Sequence, residues 1–123
     1  MATKTPTKTD LEGDSATIKL AYAAMANGDD GSTIKFTQWA DRSVQVTGTF
    51  GVGGNLRVEG SSDGGTTWAT LTDPQGNALD FTAAKVEAIT EICELVRPRV
   101  TAGDGTTSLN VYFILRRAQQ LRT

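Results

Sequence analysis

Apolar and polar residues alternate along several short segments of this chain, and this period of two is the strongest constraint on its fold. Near the C-terminus, Leu109, Val111, Phe113 and Leu115 fall on one face of such a segment. Successive side chains of an extended strand point to opposite sides, so one face is buried and the other meets solvent. The same pattern predicts further inward-facing residues: Ile18, Leu20, Tyr22, Ile34, Phe36, Val44, Val46 and Phe50.

Turn-forming residues separate these segments at the spacing of about 8–12 residues that is typical of a β-sandwich. Clear examples are residues 27–31, 73–77 and the Gly-Asp-Gly hairpin at 103–105. No pattern of helical crossovers separates the strands, so we expect antiparallel sheets. The predicted fold is all-β: an antiparallel, jelly-roll-like β-sandwich of about eight short strands.

Two segments need separate treatment. Residues 83–92 are rich in alanine and carry Glu87 and Glu91, a composition that suits either a helical turn or a strand, and we favour a strand. Pro98 lies inside the strand predicted for residues 95–101. Because proline has no amide hydrogen for a ladder, we expect an edge position or a bulge there.

Residues 61–68 read Ser-Ser-Asp-Gly-Gly-Thr-Thr-Trp, the aspartate-box pattern of a rigid β-hairpin connection. Ser61, Asp63 and Thr67 have side-chain oxygens that can cap loop amides. Gly65, like its neighbour Gly64, permits a positive φ, and Trp68 anchors the next strand. The pattern predicts local structure and indicates no reaction by itself.

The composition argues against most enzyme classes. The 123 residues include no histidine, and the single cysteine, Cys93, lies in an apolar run that favours a buried thiol. We therefore expect no enzyme activity, no catalytic residues, no cofactor and no metal. The loops at 27–31 and 103–105 are rich in oxygen ligands but lack the ladder of a calcium site, and we expect them to cap their own backbone.

The net charge of −2 gives no electrostatic reason to expect nucleic acid as a partner. The N-terminal residues lack the apolar run of a secretory signal, and no segment is apolar over the length that spans a bilayer, so we expect no membrane partner. Residues 1–14 are polar and rich in Thr and Lys, as in an extended arm, which we expect a neighbouring subunit to hold. Residues 15–123 then form the β-sandwich domain.

Basic residues and one tryptophan are the candidate contacts with a partner. Trp39 is out of phase with Phe36, which predicts an outward side chain that anchors an interface. The basic residues either keep a solvated face from pairing edge to edge or dock on an acidic protein. The candidate partner-binding residues are Lys4, Lys8, Trp39, Arg97, Arg99, Arg116 and Arg117, and Arg122 belongs to the same basic group.

Residues 58–68 and 97–109 together resemble small head proteins of tailed bacteriophages, specifically the capsid decoration, or cement, proteins. The resemblance covers residues 44–117. It implies a jelly-roll-like sandwich that binds the outside of the assembled head and bridges subunits of the major capsid protein. It also implies a homo-oligomer, with a homotrimer slightly favoured over a homodimer, and a virion protein made in the cytoplasm of the bacterial host.

Two alternatives remain open at this point. One is a carbohydrate-binding β-sandwich module that recognises a surface glycan through Trp39. The other is a tail or baseplate subunit of similar fold.

Overall fold

The computed structural model describes residues 2–13, 16–35 and 37–117. Predictions for Phe36, for Arg122 and for the boundary between residues 14 and 15 lie outside these ranges. No helix long and apolar enough to cross a membrane occurs in the described part of the chain.

The fold is an all-β sandwich of two sheets, as predicted. In chain order, the strands are β1 (Thr3–Lys4), β2 (Thr7–Asp10), β3 (Thr17–Met25), β4 (Asp30–Gly31), β5 (Ile34–Lys35), β6 (Asp41–Thr49), β7 (Asn55–Ser61), β8 (Ala69–Thr70), β9 (Asp80–Phe81), β10 (Lys85–Ala88), β11 (Leu95–Ala102) and β12 (Ser108–Arg116). The described residues thus form twelve strands rather than about eight, because five of them are two-residue pairings at turns.

The two sheets differ in width. One has five strands in the order β10-β6-β12-β3-β2. The other has seven: β1-β4-β11-β7-β8 form its main path, β5 also pairs with β11, and β9 also pairs with β7. The pairs are antiparallel except β1 with β4, which is parallel.

The core lies between the sheets and consists of the inward residues that the alternation predicts. Val44, Val46, Val111 and Phe113 have no exposed surface, and Ile18, Leu20 and Tyr22 are also buried. The rings of Tyr22 and Phe113 meet edge to face, with centroids 5.9 Å apart. The Tyr22 hydroxyl donates to the Ser32 carbonyl at 2.6 Å, which satisfies the one polar atom of that ring. Phe50 is half-buried against this core.

The N-terminal segment is extended, and it belongs to the sandwich of its own chain. Its strand β1 joins the seven-stranded sheet, and β2 joins the five-stranded sheet beside β3. The Ala2 amide donates to the Asp29 carboxylate at 2.9 Å, and the Ser32 amide donates to the Lys4 carbonyl at 2.8 Å. Contacts within one chain therefore hold this segment, and the expected contact with a neighbouring subunit stays a prediction.

Residues 83–92 contain the favoured strand: β10 pairs with β6 along the edge of the five-stranded sheet. The expectation for Pro98 was wrong, because β11 lies between β4 and β7 inside its sheet and its one register shift falls between Val100 and Ala102. Pro98 is tolerated because β4 and β5 leave a gap beside it. Its ring packs closely against Gly31 of β4, where an added Cβ would lie 2.6 Å from the ring carbons.

The two tyrosines offer a matched test of the core. Tyr22→Phe removes the hydrogen bond to Ser32 and leaves that carbonyl unsatisfied, so we expect a loss of about 1–2 kcal/mol in the free energy of unfolding. Urea denaturation measures it. Tyr112→Phe removes a hydroxyl from the half-exposed outer face of β12 and should change the free energy by less than about 0.5 kcal/mol. Equal losses in the two variants would contradict the role given to Tyr22.

Candidate interaction surface

The outer face of the seven-stranded sheet collects charged side chains from neighbouring strands. Arg97 and Arg99 alternate with buried Val96 and Val100, so both arginines project from one face of β11, as predicted. The antiparallel register places Glu59 opposite Arg97 and places Arg57 opposite Arg99. We call this surface, formed by Asp30, Arg57, Glu59, Trp68, Arg97 and Arg99, the arginine face.

The carboxylate of Glu59 is the centre of the arginine face. Its side chain is only 5% exposed although it lies on the outer side of the sheet. Arg97 Nε donates to Glu59 Oε1 at 3.1 Å, and Arg99 Nη1 donates to Glu59 Oε2 at 3.4 Å. A buried carboxylate needs such partners, because removing them would leave a charge without water or a counter-ion.

Arg97 is held on three sides. Besides Glu59, it forms an ion pair with Asp30 at 3.4 Å, and its guanidinium carbon lies 4.2 Å from the ring centroid of Trp68. Arg97 is therefore committed to contacts within the chain. Arg99 differs, because its side chain is 46% exposed while Glu59 fixes its position.

The loop at residues 61–68 positions Trp68 for this contact. The Asp63 carboxylate accepts the amides of Thr66 and Thr67 at 3.1 and 3.0 Å, and the Ser61 hydroxyl accepts the Gly65 amide at 3.0 Å. Trp68 Nε1 then donates to the Gly65 carbonyl at 3.0 Å, within a turn where Gly65 has φ of 92°. The predicted caps of Ser61 and Asp63 are present, whereas Thr67 bonds the Asp63 carboxylate through its backbone amide and its side chain.

The remaining basic candidates do not join the arginine face. Arg116 is on the five-stranded sheet, where it pairs with Asp41 at 2.7 Å in an exposed ion pair. Lys4 and Lys8 lie on β1 and β2, at the edges of different sheets. Arg117 follows β12, and its guanidinium lies 5.1 Å from the ring centroid of Trp39.

The outward orientation predicted for Trp39 was wrong. Trp39 is 5% exposed and belongs to the core. It lies in the turn before β6, where the period of two does not apply, so its phase relative to Phe36 carried no information. Buried Arg42 donates to the Trp39 carbonyl at 2.7 Å and to the Thr90 carbonyl at 3.0 Å, which ties this turn to the one after β10.

Sequence reasoning missed the acidic half of the surface. Glu59 and Asp30 were not among the candidates, although Glu59 lies between the inward-facing Val58 and Gly60 of a strand. The available signal was the alternation of β7, which points Arg57 and Glu59 outward together. What the sequence lacked was the register with β11, which decides the partner of each charge.

The oxygen-rich loops cap nearby backbone amides, as predicted, and they also cap the amides of Ala2 and Val52 in other segments. The Asp29 carboxylate accepts the amides of Ala2 and Ala26, and Asp104 accepts those of Val52 and Thr106. Across the described residues, no group of three or more His, Cys, Asp or Glu side chains is placed to bind a metal ion. Cys93 is a buried free thiol, and burial raises its pKa.

The buried ion pairs of Glu59 and the exposed ion pair of Asp41 predict different losses of stability when the carboxylate charge is removed. Glu59→Gln leaves the guanidinium groups of Arg97 and Arg99 without their shared counter-ion, so the free energy of unfolding should fall by about 2–3 kcal/mol. Asp41→Asn breaks the exposed pair with Arg116 and should cost less than about 0.5 kcal/mol. Chemical denaturation of both variants checks this, and an effect of Asp41→Asn as large as that of Glu59→Gln would contradict it.

The loop at 61–68 predicts a dependence of stability on acid. The amide of Thr67 and the Ser61 hydroxyl, which bond the ionised carboxylate, lower the pKa of Asp63 from 3.8 to about 2. Because the folded pKa lies below the unfolded one, this stabilisation is present above the unfolded value and is lost as the pH falls through the folded value. NMR titration should place the Asp63 carboxyl midpoint near 2. Asp63→Asn should weaken the acid-induced loss of stability, and an unchanged acid dependence would exclude the contribution of Asp63.

Comparison with solved structures finds a protein of similar fold. The chain resembles YomS, an SPBc2 prophage-derived protein, with a TM-score of 0.60 and 13% identity over 80% of this chain and 93% of YomS. Peruvianin-I, a cysteine peptidase from Thevetia peruviana latex, matches with a TM-score of 0.46 and 15% identity over 83% of this chain and 51% of that chain. No protein-family model matches the sequence, and no curated protein matches it closely. The comparisons therefore show a fold shared with a prophage-derived protein.

Proposed function

We propose that this chain is a structural protein of a tailed-phage virion that decorates the outside of the assembled head. It binds the major capsid protein and stabilises the shell by bridging neighbouring subunits. Two facts support a phage protein: the prophage origin of YomS, whose fold this chain shares, and the resemblance of residues 44–117 to small head proteins.

The observation that carries the docking proposal is the state of Arg99. Glu59 fixes its guanidinium from below, and 46% of the side chain stays exposed. An arginine that is already ordered loses less conformational entropy when it binds a carboxylate, and its planar group can make two parallel hydrogen bonds. The arginine face therefore fits an acidic surface loop of the capsid protein, with Arg99 as its principal contact.

The other basic candidates have supporting roles in this proposal. Lys4 and Lys8 extend positive charge to the edges of the two sheets. Arg116 is exposed but already paired, and Arg97 acts by positioning the face from within. Trp39 is buried in the core and has no part in docking.

Avidity provides the stabilisation. A homo-oligomer, which we propose to be a trimer in preference to a dimer, engages several capsid subunits through individually modest interfaces. We further propose a non-enzymatic protein without cofactor, located on the capsid exterior after synthesis in the bacterial host.

Co-sedimentation with purified empty heads of the phage that carries this gene tests the proposal. The wild-type chain should bind the heads and raise the temperature at which they open. Arg99→Gln should lower the affinity by about tenfold, because a charge-assisted contact is lost. Arg116→Gln, a matched loss of one arginine from the other sheet, should change the affinity less than about twofold.

Three outcomes would contradict the proposal. They are absence of binding to heads, binding to isolated tails instead of heads, and equal effects of Arg99→Gln and Arg116→Gln. Binding to tails would favour the tail or baseplate alternative.

A further inference from the structure

The outer face of the five-stranded sheet has a groove that is separate from the arginine face. A depression of about 300 Å³ is lined by Lys19, Ser43, Gln45, Val86, Tyr112 and Ile114. A second depression of about 280 Å³ shares Ser43 and Ile114 with the first and extends to Arg116. Together they form an elongated cleft, the sheet groove, of a size that suits a small organic ligand.

The backbone beneath the sheet groove is already fully paired. Strand β12 lies between β6 and β3, and these two strands pair in turn with β10 and β2. An extended peptide binds a sheet by adding to a free edge, and β6, β12 and β3, which form most of the floor, offer no such edge. The edge strand β10 contributes only Val86 to the lining. A ligand that lies on the three floor strands must therefore be recognised by side chains.

The floor combines apolar and hydrogen-bonding groups in one place. The Tyr112 ring is half-buried, and Ala21 and Gln45 lie opposite it on the two neighbouring strands. Ile114 and the 58% exposed Val86 flank the ring with aliphatic surface. A tyrosine ring has an apolar face on which a flat ligand ring can pack, while the Ser43 hydroxyl and the Gln45 amide can both donate and accept hydrogen bonds. Sugars present these two kinds of surface, an apolar ring face and a rim of hydroxyls.

The charge of the first depression is positive. Among the described residues that line it, Lys19 and Tyr112 are the only ionisable side chains, and Lys19 Nζ lies over one face of the Tyr112 ring, 5.8 Å from its centroid. The described residues form no ion pair with Lys19. The second depression has the charged lining residues Glu12, Asp41, Arg42 and Arg116, and Arg116 pairs with Asp41 at 2.7 Å. A ligand that complements the first depression therefore carries a negative charge next to a ring.

We propose that the sheet groove binds an acidic oligosaccharide, with its carboxylate on Lys19 and one sugar ring packed on the face of Tyr112 that Lys19 does not cover. The neighbouring sugar then extends past Ile114 toward Arg116. Sugar binding goes beyond capsid docking and does not depend on capsid docking, because it uses the opposite sheet. In the carbohydrate-binding alternative that the sequence left open, the glycan-binding residue was Trp39, and the proposal gives that role to a ring on the outer face of the sandwich.

A titration of the full chain with tetragalacturonate, followed by NMR, tests the proposal, and galactotetraose of the same linkage serves as the neutral match. The acidic tetramer should shift the signals of Lys19, Gln45 and Tyr112, and the neutral one should bind about tenfold more weakly. Lys19→Gln and Tyr112→Leu should each weaken binding about tenfold. Lys35→Gln, which removes an exposed lysine from the other sheet, and Arg99→Gln should leave it unchanged. If Tyr112→Leu fails to fold, Gln45→Ala at an exposed position replaces it.

Several results would overturn the proposal. They are absence of shifts with the acidic tetramer, equal binding of the neutral tetramer, and equal weakening by Lys35→Gln. Loss of binding to phage heads in Lys19→Gln, without any binding of sugar by the wild type, would also overturn it and would identify the groove as a protein interface. We expect Arg99→Gln to weaken binding to phage heads and to leave sugar binding unchanged. Failure of capsid docking and failure of sugar binding are therefore separate results.

Discussion

The register between β7 and β11 is the constraint on which both the core and the arginine face depend. Val58 lies opposite Pro98, and Glu59 lies opposite Arg97. A shift of one residue would turn Val96 toward solvent and would force Arg97 into the core, so the apolar and ionic interactions select the same pairing. The buried carboxylate of Glu59 adds to this selection because it is satisfied only when both arginines are in place. Hydrophobic burial on one side of the strand and charge pairing on the other thus specify one register.

The two outer faces of the sandwich have different chemistry. The seven-stranded sheet presents ion pairs around Glu59, with Trp68 beneath Arg97 and with the Arg99 side chain 46% exposed. The five-stranded sheet presents hydroxyl, amide and aliphatic groups around Tyr112, with few charges. Because the strands alternate in and out, the same core supports both surfaces, and each outer face can change without changing the residues that pack between the sheets.

Most of the fold follows from the period of two, since the buried positions of β3, β6 and β12 are apolar in the sequence apart from Arg42. The capping residues of the loop at 61–68 could also be predicted, because Asx and Ser turns are local interactions. The predictions failed where distant residues decide the outcome. Trp39 lies in a turn without periodicity, and the position of Pro98 depends on a gap between β4 and β5 that no local pattern shows. The partners of Arg97 are 38 and 67 residues away in the chain, so only the assembled sheet reveals them.

The burial of Cys93 has a practical consequence for labelling. Its sulfur packs so closely under β7 that a Cβ on Gly60 would lie 2.5 Å from it, and burial disfavours the reactive thiolate. Thiol reagents should therefore leave Cys93 of the native chain unmodified. A single cysteine introduced on either outer face would be the one reactive site, so a fluorophore or spin label could be assigned to one sheet without first removing Cys93.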